Sequence, residues 1–122
     1  MKPAKTRNGG QWTEARYKSF IMSALRGASR RWNPMHAARK DARTARNTYT
    51  CAACKKSFGS KQIRVDHIQP VREVTGKDNS WDAVIRRMFC EKHGYQVLCI
   101  ACAQLKNNME NAARKFNKEK QK

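Results

Sequence analysis

Carboxylates and long apolar runs are what this 122-residue chain has least of. Nine Asp and Glu stand against 27 Lys and Arg, for a formal net charge of +18. Such an excess repels itself in a compact fold unless a polyanion neutralises it, so nucleic acid is the expected partner. The plainer alternative is a highly soluble basic surface. No apolar run approaches the ~18 residues of a membrane span, so no membrane partner is expected. The opening "MKPAKTRNGG" is basic but has no apolar stretch behind it, and does not read as a secretory signal. An intracellular protein is therefore expected, where disulfides are rare and paired cysteines more often hold metal. Mean hydropathy is −0.91. A single chain of this length and polarity buries only a thin core, and gains from a staple beyond hydrophobic burial.

The basic excess is uneven. Residues 1–61 hold 15 basic and 2 acidic residues, whereas residues 62–122 hold 12 and 7. The front of the chain is thus the expected footprint on nucleic acid, with Arg16, Lys18, Arg26, Arg30, Arg31, Arg39, Lys40, Arg43 and Arg46 as candidate DNA contacts. "MKPAKTRNGG" reads as a flexible basic arm broken by Asn8-Gly9-Gly10. Thr13 is the expected N-cap of an amphipathic helix, on which Tyr17, Phe20, Ile21, Ala24, Leu25, Ala28 and Trp32 form the apolar stripe and Asn33-Pro34 the stop. "MHAARKDARTARN" is either a second helix that tracks phosphates or a partly ordered linker; His36 within it reads as solvated or phosphate-contacting. "QIRVDHI" alternates as a strand with Ile63 and Val65 on one face. Ser80 is placed to cap a short helix striped by Trp81, Val84, Ile85, Met88 and Phe89. "YQVLC" is a second strand. Leu105, Met109, Ala112, Ala113 and Phe116 then recur at helical spacing, and "KFNKEKQK" is expected to fray.

Cys51-x-x-Cys54 and Cys99-x-x-Cys102 form two knuckles of ligand spacing. Each offers two thiolates from one tight turn, and together they complete the tetrahedral set of a structural zinc site. Zinc-binding energy becomes folding energy, which supplies the staple. Free thiols or redox pairs are the alternatives. Cys90, the odd fifth, follows Met88-Phe89 on an apolar stripe and reads as a small buried hydrophobe.

"VDHIQPV" sets an acid beside an imidazole on the first predicted strand. By itself the pair is often no more than a hydrogen-bonded histidine with its partner. Between two metal knuckles in a very basic chain, it also fits phosphodiester hydrolysis, which needs a base to activate water and a divalent ion to take up charge. Neutral His is a base near pH 7, and Asp is a hard oxygen ligand for Mg²⁺. Neighbours on a regular strand point to opposite faces, so one shared site requires the strand to bend or end here.

"CAAC", "VDHIQPV" and "WDAVIRRMFCEKHGYQVLCIACAQLK", in that order, resemble the HNH endonucleases, especially a small group encoded by bacteriophages. The resemblance covers about residues 49–107. It implies an α+β fold: a ββα-metal core of a two-stranded hairpin and a helix, with a four-cysteine structural zinc site. A basic helical N-terminal extension precedes that core. The domains expected are thus a DNA-binding arm and helices over 1–48 and a zinc-stapled nuclease domain over 49–122. It further implies His67 as general base, Asp66 as ligand of a catalytic Mg²⁺ or Mn²⁺, and Cys51, Cys54, Cys99 and Cys102 as zinc ligands. The partner implied is double-stranded DNA. The location is the host cytoplasm if the chain is phage-encoded. A homodimer is possible, since one site cuts one strand at a time.

Two positions depart from the family. Its middle asparagine is here Gly94, as it often is in phage members. Its last metal ligand, His or Asn directly after the fourth cysteine, is here Ala103, and a methyl group coordinates nothing. Three explanations compete: an engineered variant, a natural inactive relative kept for DNA binding, or substitution by Asn107, Glu110 or His93. Asn107 and Glu110 share the helix face of Ala103; His93 otherwise reads as a turn residue. The function expected is a sequence-tolerant, metal-dependent DNA endonuclease impaired at Ala103. The rivals are an inactive zinc-stabilised DNA-binding module and a structural basic protein, which leaves the Asp-His strand unexplained.

Overall fold

The computed structural model describes residues 2–120. It divides into two compact units, Met1–Arg31 and Trp32–Lys122.

In the first unit the basic arm is a hairpin where the sequence suggested a flexible segment. Strands β1 (Lys5–Arg7) and β2 (Trp12–Thr13) pair antiparallel. Asn8, Gly9 and Gly10 all take positive φ, so the residues that read as a breaker form the turn. Arg7 fastens this hairpin to the helix after it: its Nε lies 2.8 Å from Glu14 Oε2 and its guanidinium 4.4 Å from the centre of the Tyr17 ring. That helix, α1 (Glu14–Ser29), is capped by Thr13 Oγ1, which accepts from the Arg16 N–H at 3.2 Å. Its apolar stripe is only partly covered. Trp12 meets Phe20 at 5.1 Å between ring centres, yet Phe20 is 59% exposed and no described residue of this unit is buried. The helix also stops before Trp32, which belongs to the second unit.

The second unit opens with α2 (Asn33–Asp41). Pro34 sits in its first turn, where a missing N–H costs nothing, so Asn33-Pro34 starts this helix. Trp32 donates its indole N–H to Cys90 O at 2.7 Å and meets the Phe89 ring edge-on, while Ala38 is buried. These contacts tie Trp32 and α2 to the second unit, so the compact units divide at residues 31/32, whereas the family resemblance set the domains at 1–48 and 49–122. Strands β3 (Arg43–Ala45), β4 (Thr48–Thr50) and β5 (Ser57–Phe58) form a small antiparallel sheet. Strand β6 (Ile63–His67) pairs with β7 (Tyr95–Cys99) in register from Ile63↔Cys99 to His67↔Tyr95. Between them lies α3 (Trp81–Met88), capped by Ser80 Oγ on the Ala83 N–H. Helix α4 (Ile100–Lys120) follows β7 without a break. The fold is thus mixed α+β, with small sheets and four α-helices among the described residues. None of those helices is long and apolar enough to cross a membrane.

Burial concentrates on β7, where Tyr95, Val97, Leu98 and Cys99 are all buried and α2 and α4 pack. Cys51 and Leu98 are the most deeply buried side chains; with Cys99 they form a cluster edged by Ala52, Phe58, Cys102 and Ala103. Helix α4 reverses the expected periodicity. Leu105, Met109 and Phe116 are 60%, 65% and 64% exposed, while Lys106, Glu110, Arg114 and Asn117 face inward. Arg114 donates to Arg72 O and Asn117 to Val74 O, so main-chain carbonyls of the β6–α3 loop set this orientation. The helix continues to Lys120 where fraying was expected; residues 121–122 lie outside the described residues.

Candidate metal centre and adjoining acid–imidazole site

The four knuckle cysteines converge. The sulfur atoms of Cys51, Cys54, Cys99 and Cys102 all lie within 4.8 Å of one another. Four thiolates on one tetrahedral zinc sit about 3.8 Å apart, from Zn–S bonds of about 2.3 Å, so little closure is needed. Each knuckle is shaped by its backbone. In the first, the Lys55 N–H reaches Cys51 O at 3.0 Å, with Lys55 itself at φ 66°. The Ala52 N–H donates to Val97 O at 2.8 Å, which moors this turn to β7. In the second, at the β7–α4 junction, the Cys102 N–H points at Cys99 Sγ, 3.4 Å away. Burial would raise the Cys51 thiol, but the N–H groups of Cys54, Cys99 and Ala53 outweigh it and hold it down at about 6. Cys102 is pushed up to about 12, chiefly by its hydrogen bond to Cys99 with burial adding to it. The Cys51 thiolate forms readily and Cys102 resists a second like charge, which a bound cation relieves. The four cysteines are positioned to hold a metal ion such as zinc. Cys90 lies outside this group, half-buried against Gly94.

Asp66 and His67 sit at the opposite end of the β6–β7 hairpin. Strand β6 ends at His67, and its two last side chains make separate contacts. Asp66 Oδ2 accepts from Gln96 Nε2 and from Lys106 Nζ, each at 3.1 Å. The same ammonium donates to Glu110 Oε2 at 2.7 Å and to His67 O at 3.0 Å. Burial alone would lower the Lys106 pKa; its bonds to Glu110 and Asp66 outweigh that and raise it. His67 Nε2 lies 3.0 Å from Met88 O. A carbonyl only accepts, so this nitrogen carries the proton, and in the neutral ring Nδ1 keeps the lone pair. Tyr95 packs on the His67 ring at 4.9 Å and donates its own hydroxyl to Met88 O at 2.7 Å. Burial, the main cause, keeps that phenol protonated well above its usual range.

The residues expected here are therefore joined unevenly. Asp66 and Glu110 meet through Lys106, whose ammonium also touches the His67 backbone. Ala103, one turn before Lys106, packs against the cysteine cluster. Asn107 is exposed, as are His93 in the turn Lys92–Gly94 and His36 on α2. A Cβ at Gly94 would stand 2.5 Å from Cys90 Sγ, so an asparagine there needs Cys90 to move. Sequence reading missed Lys106, Gln96 and Tyr95. Strand register alone could have found the last two, since they face Asp66 and His67 directly. Of the candidate DNA contacts, Arg39 is half-buried over the Tyr49 ring, and Arg16 lies 4.8 Å from the centre of the Trp12 ring. The other seven candidates are exposed.

No family model, curated protein or solved structure matches this chain.

Proposed function

We propose that the chain is an HNH-type endonuclease that hydrolyses DNA phosphodiester bonds with one divalent metal, and that Ala103 impairs it. The observation carrying this reading is the hairpin end, where a histidine fixed through Nε2 keeps Nδ1 free and an aspartate lies beside it on the same strand. In this reading His67 Nδ1 takes the proton of the attacking water. Asp66 is the protein ligand of a Mg²⁺ or Mn²⁺, which when bound stabilises charge on the phosphate. Its donor chemistry fits: a hard carboxylate, with Glu110 Oε2 and His67 O converging on the same ammonium. The four-cysteine group holds structural zinc. The first unit, with eight basic residues and one acidic, contacts DNA phosphates with little base readout.

The inactive DNA-binding module is the second reading. The Lys106 ammonium favours it, because it occupies the carboxylate of Asp66 where a metal is needed, and Ala103 removes a further ligand.

The test is plasmid nicking with Mg²⁺ or Mn²⁺ by this chain and by Ala103→His, beside DNA binding at rising salt. The nuclease reading expects tight, steeply salt-dependent binding with slow or no cleavage. It expects Ala103→His to raise cleavage by roughly a hundredfold, the scale of losing one preorganised electrostatic group. Binding without any rescue supports the module.

A further inference from the structure

We infer that the outer face of α4 is the contact surface for a second copy of this chain, packed antiparallel about a two-fold axis. The nuclease reading is not needed for it. Leu105, Met109, Ala112 and Phe116 repeat at intervals of four, three and four, the spacing of a helix–helix seam, and all four are exposed. Large apolar side chains turned to water on one ridge mark an interaction face.

Charge identifies the occupant. Every exposed residue of α4 from Ile100 to Ala112 is uncharged, in a chain that is 30% charged. Lys106 and Glu110, the only charges in that span, face inward and pair with each other at 2.7 Å. A polyanion is drawn to basic surface and gains nothing from this ridge, and the same holds for an acidic protein. Two copies at +18 each repel wherever lysines face one another. They approach most cheaply through a neutral apolar strip, and this helix presents one.

Charge also fixes the direction. Lys115, Lys118 and Lys120 crowd the last turns of α4. A parallel pair would set these lysines side by side. An antiparallel pair sends them to opposite ends and sets Leu105 opposite Phe116 and Met109 opposite Ala112, a large side chain over a small one. One helix ridge buries less than the ~800 Å² per partner of a standard stable interface, so the dimer is weak and concentration-dependent.

Sedimentation of the full zinc-loaded chain tests this at several concentrations, in about 0.1 M and about 0.5 M NaCl. The expected result is a monomer–dimer equilibrium that tightens at the higher salt, where repulsion is screened, opposite to the salt response of DNA binding. Met109→Glu, on the exposed ridge, is expected to weaken it about tenfold or more while zinc content and circular dichroism stay unchanged. Leu105→Gln serves the same purpose if that variant fails to fold. A photo-crosslinking phenylalanine at position 116 should join the peptide around Leu105 of another copy. A monomer under all conditions, a dimer indifferent to both variants, or cross-links formed only within one chain would overturn the inference.

Discussion

At the Ile63↔Cys99 end of the β6–β7 hairpin the side chains are apolar or sulfur; at the His67↔Tyr95 end they are ionic or hydrogen-bonding. The first end closes on itself. Cys51 and Leu98 are sealed from water and the two knuckles meet over them. The second end is held by bonds that exchange: an ammonium shared by two carboxylates and a carbonyl, and a ring nitrogen tied to one carbonyl. Thiolates around a metal have no good alternative partner, whereas an ion pair still partly open to water gains only modest energy over water and yields to another cation. The strand thus sets His67 about 13 Å from Ile63 at the cysteine end, at ~3.3 Å per residue.

Breaking the closed end should do the most damage. Cys51→Ser, or removal of metal by a strong chelator, is expected to unfold the second unit, seen as loss of far-ultraviolet circular dichroism together with loss of bound zinc. A chain that keeps its fold after complete zinc removal would show that the thin core suffices. Leu98→Ala comes next, with an expected loss of about 2–5 kcal/mol in denaturant unfolding, since the cavity lies under the knuckles. Gly94→Ala acts nearer the open end. Its new methyl meets Cys90 Sγ, and overpacking of this kind costs about 1–3 kcal/mol. Cys90→Ala in the same chain should recover most of it, a coupling that a double-mutant cycle measures.

Lys106→Met should have the smallest effect on the fold and a clear one on metal binding. Without the ammonium, Asp66 and Glu110 lose the cation they share, and Mn²⁺ should bind about tenfold tighter or more by paramagnetic resonance titration. Unchanged affinity would mean that the two carboxylates do not act on one cation.

Some of this was legible in the sequence because it is local. The two Cys-x-x-Cys knuckles, the strands "QIRVDHI" and "YQVLC", the Thr13 and Ser80 caps and the helix begun by Trp81 all follow from spacing and capping chemistry. What failed depends on partners far along the chain. Apolar periodicity normally marks the buried face of a helix, yet α4 turns Lys106, Arg114 and Asn117 inward because carbonyls of His67, Arg72 and Val74 await them. Asn8-Gly9-Gly10 serves equally as a flexible break or as a hairpin turn; the Arg7–Glu14 pair and the Tyr17 ring decide. The compact units divide ahead of "MHAARKDARTARN", which has little large apolar content of its own, because Trp32 just before it bonds Cys90 O and meets the Phe89 ring. Gly94 gave no sign that Cys90 excludes a side chain there.

Whether the open end does chemistry that the closed end only supports is tested most directly by Ala103→His beside the double variant Ala103→His/His67→Ala. Mg²⁺-dependent plasmid nicking, zinc content and melting temperature are measured on the same samples. The first variant should nick, and the second should lose about a hundredfold or more of that activity, with zinc unchanged and melting temperature nearly so. Equal nicking by both, or a loss that only tracks unfolding, would contradict the assignment of His67 as the base.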